Sequence, residues 1–247
     1  MAYEKNNTDG YQVPLSIGVG IPDETFASFC EDDRCNAIPF YYLKSTFDSE
    51  SYDDGRFLYL YGPHGSGKTH LLKSVAVESN RRNINCAMLD IASLITFSNP
   101  NLLSGLEQNC QIICLDNIDA IAGKADWENE LFALYNRWQS MENGFFIVVA
   151  HENVEKSGFK KRDLVTRLES GASLNIKPLP YERIAEALVL REQAKGNSLD
   201  ANKAKKIAKS SKDITSAVEA LKRINKAVQQ NKNQKITKTI IEEVINK

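Results

Sequence analysis

The chain has 247 residues, of which 42% are hydrophobic and 26% charged, and its formal net charge is −1. This composition is that of an ordinary globular protein, and the length allows one large domain or a core domain with a smaller partner. The longest uninterrupted apolar run, Phe145–Ala150, is too short to cross a bilayer, which argues against a membrane-spanning helix.

The N-terminus is polar and has no apolar secretory core, so we expect a cytoplasmic protein. No C-x-x-C pair occurs among the five cysteines, and this favours buried thiols in a reducing compartment over a metal site.

A short segment near the N-terminus has Gln12 followed by the aliphatic residues Leu15 and Ile17. An extended segment of this kind can dock into a pocket of a partner protein. It can equally be a disordered leader or an edge strand, and the residues alone favour this second interpretation.

The next feature is a phosphate-binding loop that fits the pattern G-x-x-x-x-G-K-[ST]. Its residues are Gly62, Pro63, His64, Gly65, Ser66, Gly67, Lys68 and Thr69. The glycines allow a tight turn whose N–H groups point at phosphate oxygens, Lys68 can reach the β- and γ-phosphates, and the Thr69 hydroxyl can ligate Mg²⁺. An apolar strand precedes the loop and a helix follows it, so the sequence predicts binding of a purine nucleoside triphosphate or diphosphate.

From residue 57 to 176, short apolar runs alternate with helical patterns. Near-continuously apolar runs predict strands that are covered on both faces of a parallel sheet, and they are Phe57–Tyr61, Cys86–Leu89, Ile112–Leu115, Phe145–Ala150 and Leu174–Ile176. One intervening helix carries an apolar stripe that we interpret as core, namely Trp127, Leu131, Leu134, Tyr135 and Trp138.

Beyond Pro178 the pattern is helical only. The predicted helices are Tyr181–Ala194, Asp200–Ser210, Ile214–Gln229 and a last one from Thr237. We therefore predict a flexible tail over 1–20, an α/β nucleotide-binding domain over 21–177 and a small all-helical domain over 178–247. Lysines cluster between residues 203 and 212, where a solvated helix face is favoured over a nucleic-acid contact because aromatic residues are absent.

A carboxylate ends the third predicted strand. Asp116 at this position can hold the hydration shell of Mg²⁺ opposite Thr69. The next residue, Asn117, is an amide that can position water but cannot take its proton, and Asp119 is expected to point elsewhere. Hydrolysis by the chain alone therefore looks impaired.

Arg167 lies between the fourth and fifth predicted strands. In an assembly of nucleotide-hydrolysing subunits, an arginine here can reach a neighbour's γ-phosphate, and a solvated helix arginine is an equally good interpretation. We expect Lys160–Arg162 to form a solvated loop. We interpret His151, at the end of the fourth strand, as a capping or packing histidine rather than a phosphate sensor.

Taken together, these motifs resemble the DnaA-related AAA+ ATPases, which include the bacterial replication initiator DnaA and its regulators. The resemblance runs from residue 11 to the end of the chain, and the segments that carry it are Asp23–Phe29, Gly67–Leu72, Leu115–Ile118, Ile121–Gly123, Trp127–Glu128 and Leu131–Arg137. It implies an AAA+ P-loop domain that has a parallel sheet and binds ADP or ATP with Mg²⁺, followed by a helical lid domain.

The resemblance also implies partners. Gln12, Leu15 and Ile17 match a motif that docks on the sliding clamp, the β subunit of DNA polymerase III, so DNA would be contacted only through the clamp. Arg167 matches the arginine finger that acts in trans on the ATP held by DnaA. The expected function is negative regulation of replication initiation, with little or no ATPase activity of the chain's own.

Three positions depart from the family pattern in a consistent direction. Thr215 stands where the lid arginine is expected, Ala150 replaces a polar sensor, and Asn117 replaces a carboxylate. Because the chain ends at Lys247, where DnaA continues into a DNA-binding domain, origin recognition is not expected. Two other functions stay open, namely a self-sufficient AAA+ ATPase such as a helicase loader, and a clamp-tethered adaptor with a purely structural nucleotide. A homo-oligomer also stays open.

Overall fold

The structure is a computed structural model that describes residues 23–47, 56–141, 144–230 and 236–245. Its centre is a five-stranded, all-parallel sheet with the order β2-β3-β4-β1-β5. The strands are β1 (Phe57–Tyr61), β2 (Cys86–Asp90), β3 (Ile112–Asp116), β4 (Phe145–Ala150) and β5 (Ala172–Asn175). The predicted α/β fold with a parallel sheet is confirmed.

Helices cover the sheet and continue beyond it. They are α1 (Ala37–Ser45), α2 (Lys68–Arg81), α3 (Ile91–Leu94), α4 (Leu106–Asn109), α5 (Ala125–Gln139), α6 (Arg162–Glu169), α7 (Ile184–Ala194), α8 (Ala201–Lys209), α9 (Ile214–Gln230) and α10 (Lys238–Ile245). Within the described ranges, no helix is both long and apolar enough to cross a membrane.

The three central strands are buried as predicted, and the two edge strands are not. β3 and β4 are buried along their whole length, whereas β5 alternates between half-buried and exposed residues, and most of β2 is only partly buried. The prediction that all five strands are covered on both faces is therefore wrong for β2 and β5. The predicted bounds of the last strand were also shifted, because an edge strand lacks the continuous apolar run by which the others are found.

Two apolar layers sandwich the sheet, one on each face. On one face the stripe of α5 is buried against β1, β3 and β4, which confirms its interpretation as core. On the other face Phe40 and Leu43 of α1 pack with Leu71, Leu72 and Val75 of α2. Each of the five cysteines is a free thiol, but Cys35 and Cys110 are only half-buried, so the prediction of buried thiols is wrong for these two.

Helices α7 to α10 form a third apolar core of their own. Ile207 of α8 and Leu221 of α9 are buried there, while Lys205, Lys206 and Lys209 face outward on α8. The structure thus places helices after the sheet domain, as predicted. The domain bounds at residues 20 and 177 stay predictions.

Candidate nucleotide-binding site

The phosphate loop connects β1 to α2 and has no room for side chains at its glycines. A Cβ atom on Gly62 would lie 2.0 Å from the carbonyl oxygen of Ile176, and one on Gly67 would lie 3.0 Å from the ring of Phe29. Gly67 also has a φ of +98°, a left-handed conformation that favours glycine. The loop therefore keeps its backbone open at the N-terminal end of α2, where N–H groups and the helix dipole favour an anion.

Lys68 is held beneath this loop. Its ammonium group donates hydrogen bonds to the carbonyl oxygens of Gly62, at 2.6 Å, and Pro63, at 2.8 Å. Burial lowers the pKa of the Lys68 ammonium from its ordinary value, and the nearby carboxylate of Asp116 opposes this shift. The ammonium also donates to the Ser66 hydroxyl at 3.4 Å, and with no carboxylate among these three partners it is suited to phosphate oxygens.

Asp116 and Thr69 meet at the carboxyl edge of the sheet. The Thr69 hydroxyl donates to the Asp116 carboxylate at 2.6 Å, and Asp116 is only 2% exposed. Burial raises the pKa of Asp116, while the hydrogen bond from Thr69 acts in the opposite direction. These oxygen ligands fit Mg²⁺, which when bound would supply positive charge against the phosphates of a nucleotide.

A cleft of 260 Å³ opens from the loop toward the C-terminal helices. Its polar lining includes Lys68, Thr69 and Asn117. Its apolar lining is Phe29 with a set of aliphatic residues, namely Leu179, Ala187, Ile214 and Val218. A cleft that combines the phosphate loop with apolar side chains fits a nucleotide, whose phosphates would lie on the loop and whose base would contact the apolar residues.

The side chain of Asn117 is hydrogen-bonded to the last residue of β2. The Asn117 backbone is left-handed, with a φ of 56°, and its side-chain amide donates to the Asp90 carboxylate at 2.9 Å. This hydrogen bond engages one donor of the amide, and Asn117 also lines the cleft. Impaired hydrolysis by the chain alone stays a prediction.

A pair that sequence reasoning missed stands beside the cleft. Asp119 does not line the cleft, but its carboxylate lies 2.8 Å from Nδ1 of His151, which does. His151 is therefore held by an acidic partner rather than acting as a helix cap or a core side chain. Thirty-two residues separate the two, so no local pattern reveals the pair.

Thr215 lies beside the phosphate loop, whereas Ala150 lies in the core of the sheet domain. A Cβ atom on Gly65 would lie 3.0 Å from the Thr215 hydroxyl, so α9 reaches the phosphate loop at this residue. Ala150 is fully buried at the end of β4 and is not among the residues that line the cleft.

Helix α7 contributes a partly buried cation to the cleft, which no motif predicted. Arg191 of α7 donates to Nδ1 of His70 at 2.9 Å and lies 3.6 Å from the carboxylate of Glu24. The other ring nitrogen of His70 lies 3.0 Å from the Thr25 carbonyl oxygen, to which it can donate. Burial, with the Arg191 charge adding to it, lowers the pKa of His70 to about 3.

This buried histidine makes stability depend on pH. The folded protein keeps His70 neutral down to a pKa of about 3, whereas the unfolded chain takes up a proton below pH 6.5. Proton uptake by the unfolded chain lowers the free energy of unfolding as pH falls from 6.5 toward 3, by roughly 1.4 kcal/mol per pH unit. Urea denaturation at pH 7.5 and 5.5 should show this loss for the parent and for His64→Gln, whose histidine is exposed. A smaller loss is expected for His70→Gln, and an equal loss in all three would contradict the assignment.

Arg167 lies outside the cleft. It is a half-buried residue of α6, and its guanidinium sits 5.8 Å from the ring centre of Tyr135. It forms no ion pair with any residue that the structure describes. Helix α6 packs in the apolar layer of α5, whereas α2, which follows the phosphate loop, packs in the layer on the other face of the sheet.

The segment just before α6 differs from its prediction. Lys160–Arg162 is not a freely solvated loop, because Arg162 begins α6 and the backbone N–H groups of Lys160 and Lys161 donate to the buried carboxylate of Glu128. The predicted clamp-binding residues Gln12, Leu15 and Ile17 lie outside the described residues.

Comparison with known proteins agrees with this architecture. Residues 58–167 match the model of the ATPase family associated with various cellular activities (AAA). They form an AAA+ domain. This AAA+ domain and the helices after it have the order of elements that the sequence predicted.

Solved structures resemble this chain at low sequence identity. Domain III of the Thermotoga maritima replication initiation protein DnaA has a TM-score of 0.73 at 16% identity, covering 91% of this chain and 96% of that one. DnaA from Aquifex aeolicus bound to AMPPCP has a TM-score of 0.65 at 18% identity, with coverages of 85% and 68%. The Holliday junction branch migration motor RuvB of Thermotoga maritima has a TM-score of 0.59 at 16% identity, with coverages of 90% and 73%. At these identities the likeness shows the fold alone.

Proposed function

We propose that this protein is an Hda-like regulator that promotes hydrolysis of the ATP bound to DnaA and so prevents re-initiation of replication. The observation that carries the proposal is the position of Arg167, which lies away from the cleft of its own chain and is bound by no carboxylate of the described residues. The similarity of the fold to DnaA supports a contact between the two AAA+ domains.

In this proposal Arg167 acts as an arginine finger. A guanidinium brought to the γ-phosphate of a neighbouring subunit neutralises charge that develops in the transition state, and contributes on the order of 10³–10⁵ in rate. The chain's own cleft has the complementary role. Lys68, Thr69 and Asp116 hold ADP or ATP with Mg²⁺, while Asn117, bound to Asp90, does little to activate water.

The N-terminal segment accounts for the second proposed partner, the sliding clamp. In this proposal Gln12, Leu15 and Ile17 dock on the sliding clamp, which raises the local concentration of the regulator where DNA is being replicated. The protein then meets DNA only through the clamp.

Hydrolysis of DnaA-bound ATP, measured with and without DNA-loaded clamp, tests the proposal. At limiting protein concentration we expect the parent to stimulate release of phosphate only when the clamp is loaded. Gln12→Ala should lose this stimulation by at least about tenfold, because the gain from tethering is lost. Gln108→Ala, which changes a glutamine exposed on α4, serves as the control. Equal stimulation by Gln12→Ala and the control would contradict the tethering.

A second candidate function is self-sufficient ATP hydrolysis, and the Asp119–His151 pair favours it. A carboxylate that accepts from Nδ1 leaves Nε2 of His151 as an acceptor on the side of the cleft, where a general base is otherwise missing. Turnover by the isolated protein that disappears in both Lys68→Ala and His151→Ala would establish this function.

A third candidate is a clamp-tethered adaptor whose nucleotide is purely structural. It predicts that Gln12→Ala abolishes function while Arg167→Ala has no effect. The same hydrolysis assay therefore separates the three functions.

A further inference from the structure

A buried carboxylate on α5 binds the segment that leads into the arginine-bearing helix. Glu128 is 1% exposed, and no cation of the described residues forms an ion pair with it. Its two oxygens instead accept three backbone N–H groups, from Gly123 at 2.6 Å, from Lys160 at 3.0 Å and from Lys161 at 2.7 Å. We call this arrangement the Glu128 clasp.

The chemistry of the clasp explains why a charge is tolerated here. A buried carboxylate costs several kcal/mol unless hydrogen bonds satisfy it. The three N–H groups do so, and the two lysine N–H groups lie at the start of α6, where the helix dipole also favours a negative charge. Because the Glu128 carboxylate is stable only while these N–H groups stay in place, it also holds the N–H groups. The start of α6 therefore has one position relative to α5.

The other end of α6 is also bound to α5. The Tyr135 hydroxyl lies 2.8 Å from the Ser170 hydroxyl, which donates to the carbonyl oxygen of Arg167 at 2.8 Å. Between the two ends, Leu164 and Leu168 are buried against the same core. Helix α5 thus fixes α6 at both ends, and the ring of Tyr135 lies beneath the Arg167 guanidinium.

We propose that Glu128 is a positioning residue for Arg167 and sets the placement of the guanidinium for its reaction in trans. This inference rests on the proposed function. Arg167 lies six residues beyond Lys161, about 9 Å along the helix. A small tilt of α6 at the clasp therefore moves the guanidinium by about the distance that catalysis tolerates. A misplacement of about 1 Å can cost on the order of 10²-fold in rate.

The test compares Glu128→Gln with Glu130→Gln in the hydrolysis of DnaA-bound ATP. Glutamine has the size of glutamate, but it loses the charge and turns an N–H group toward one of the clasp donors. Glu130 is on the same helix and binds Arg137 and Ser104 rather than α6, which makes it a matched control. For Glu128→Gln we expect kcat of the stimulated reaction to fall by about tenfold to 100-fold. The half-saturating DnaA concentration and the affinity for the chain's own ADP should both stay within about twofold, and Glu130→Gln should resemble the parent.

A double-mutant cycle separates positioning from general damage. If Glu128 acts through Arg167, Glu128→Gln has no further effect once Arg167 is alanine. An additional loss in that background, or a normal kcat for folded Glu128→Gln, overturns the inference. If Arg167→Ala alone leaves stimulation unchanged, the proposed function fails instead.

Ser170→Ala keeps the inference testable if Glu128→Gln does not fold. This change removes the hydrogen bond at the other end of α6 and leaves the clasp intact. We expect a smaller loss in kcat with an unchanged half-saturating DnaA concentration. An unchanged kcat would overturn the inference that α5 positions Arg167.

Discussion

Replacing Arg167 by alanine is expected to remove almost all stimulation of DnaA–ATP hydrolysis, a loss on the order of 10³-fold. The reason is that the guanidinium lies outside the cleft of its own chain, over the ring of Tyr135, and forms no ion pair within the described part of the chain. Single-turnover release of phosphate from DnaA-bound ATP, with DNA-loaded clamp present, measures the effect directly.

Two controls make this result specific. Arg162→Ala removes an exposed arginine from the first turn of the same helix and should leave stimulation close to the parent's. Arg167→Lys keeps the charge but loses the planar fork, so it should recover only part of the rate. Equal losses for Arg162→Ala and Arg167→Ala would contradict a role for the guanidinium itself. The chain's own affinity for ADP should be unchanged in all three variants, because Arg167 does not line the cleft.

The second large effect is expected for nucleotide binding in Lys68→Ala. The Lys68 ammonium is buried under the phosphate loop, 2.6 Å from one backbone oxygen and 2.8 Å from another, and is the group best placed to meet phosphate oxygens. Hydrogen bonds to charged groups contribute about 1.5–3 kcal/mol each, so we expect affinity for ADP and ATP to fall by about 100-fold.

Calorimetry and thermal unfolding both measure this loss. A ligand at 100 times its Kd stabilises the folded state by about 2.7 kcal/mol, so Mg²⁺ with ADP should raise the Tm of the parent by several degrees. The rise should be nearly absent in Lys68→Ala at the same ADP concentration. Lys73→Ala changes a lysine on the same helix that pairs with Glu24 and does not line the cleft, and it should keep the rise. An unchanged rise in Lys68→Ala would contradict the assignment of the cleft.

Local patterns were sufficient to predict most of the fold. Continuous apolar runs are typical of strands buried on both faces, and they located β1, β3 and β4 well. The tight turn of the phosphate loop was also predictable from its glycines, because only glycine fits against Ile176 and Phe29. The edge strand β5 was placed with shifted bounds, since half of its residues face solvent and its pattern is not continuous.

The polar pairs around the site could not be predicted, because each joins residues far apart in the sequence. The resemblance includes the segment Trp127–Glu128, but it did not indicate that Glu128 is buried and binds the start of α6. Asp119 does not line the cleft, in agreement with its prediction, but its pairing with His151 was not predicted. Such partners follow from the packing of whole elements, and no short motif encodes them.

The central claim is that this protein supplies an arginine while DnaA supplies the ATP that is hydrolysed. The most direct measurement labels the γ-phosphate of ATP on one protein at a time, with DNA-loaded clamp present. With labelled ATP on DnaA and unlabelled ADP on this protein, we expect rapid release of labelled phosphate. With the label on this protein, together with DnaA that carries unlabelled ADP, we expect almost none. Release of label from this protein's own cleft at a comparable rate would contradict the account.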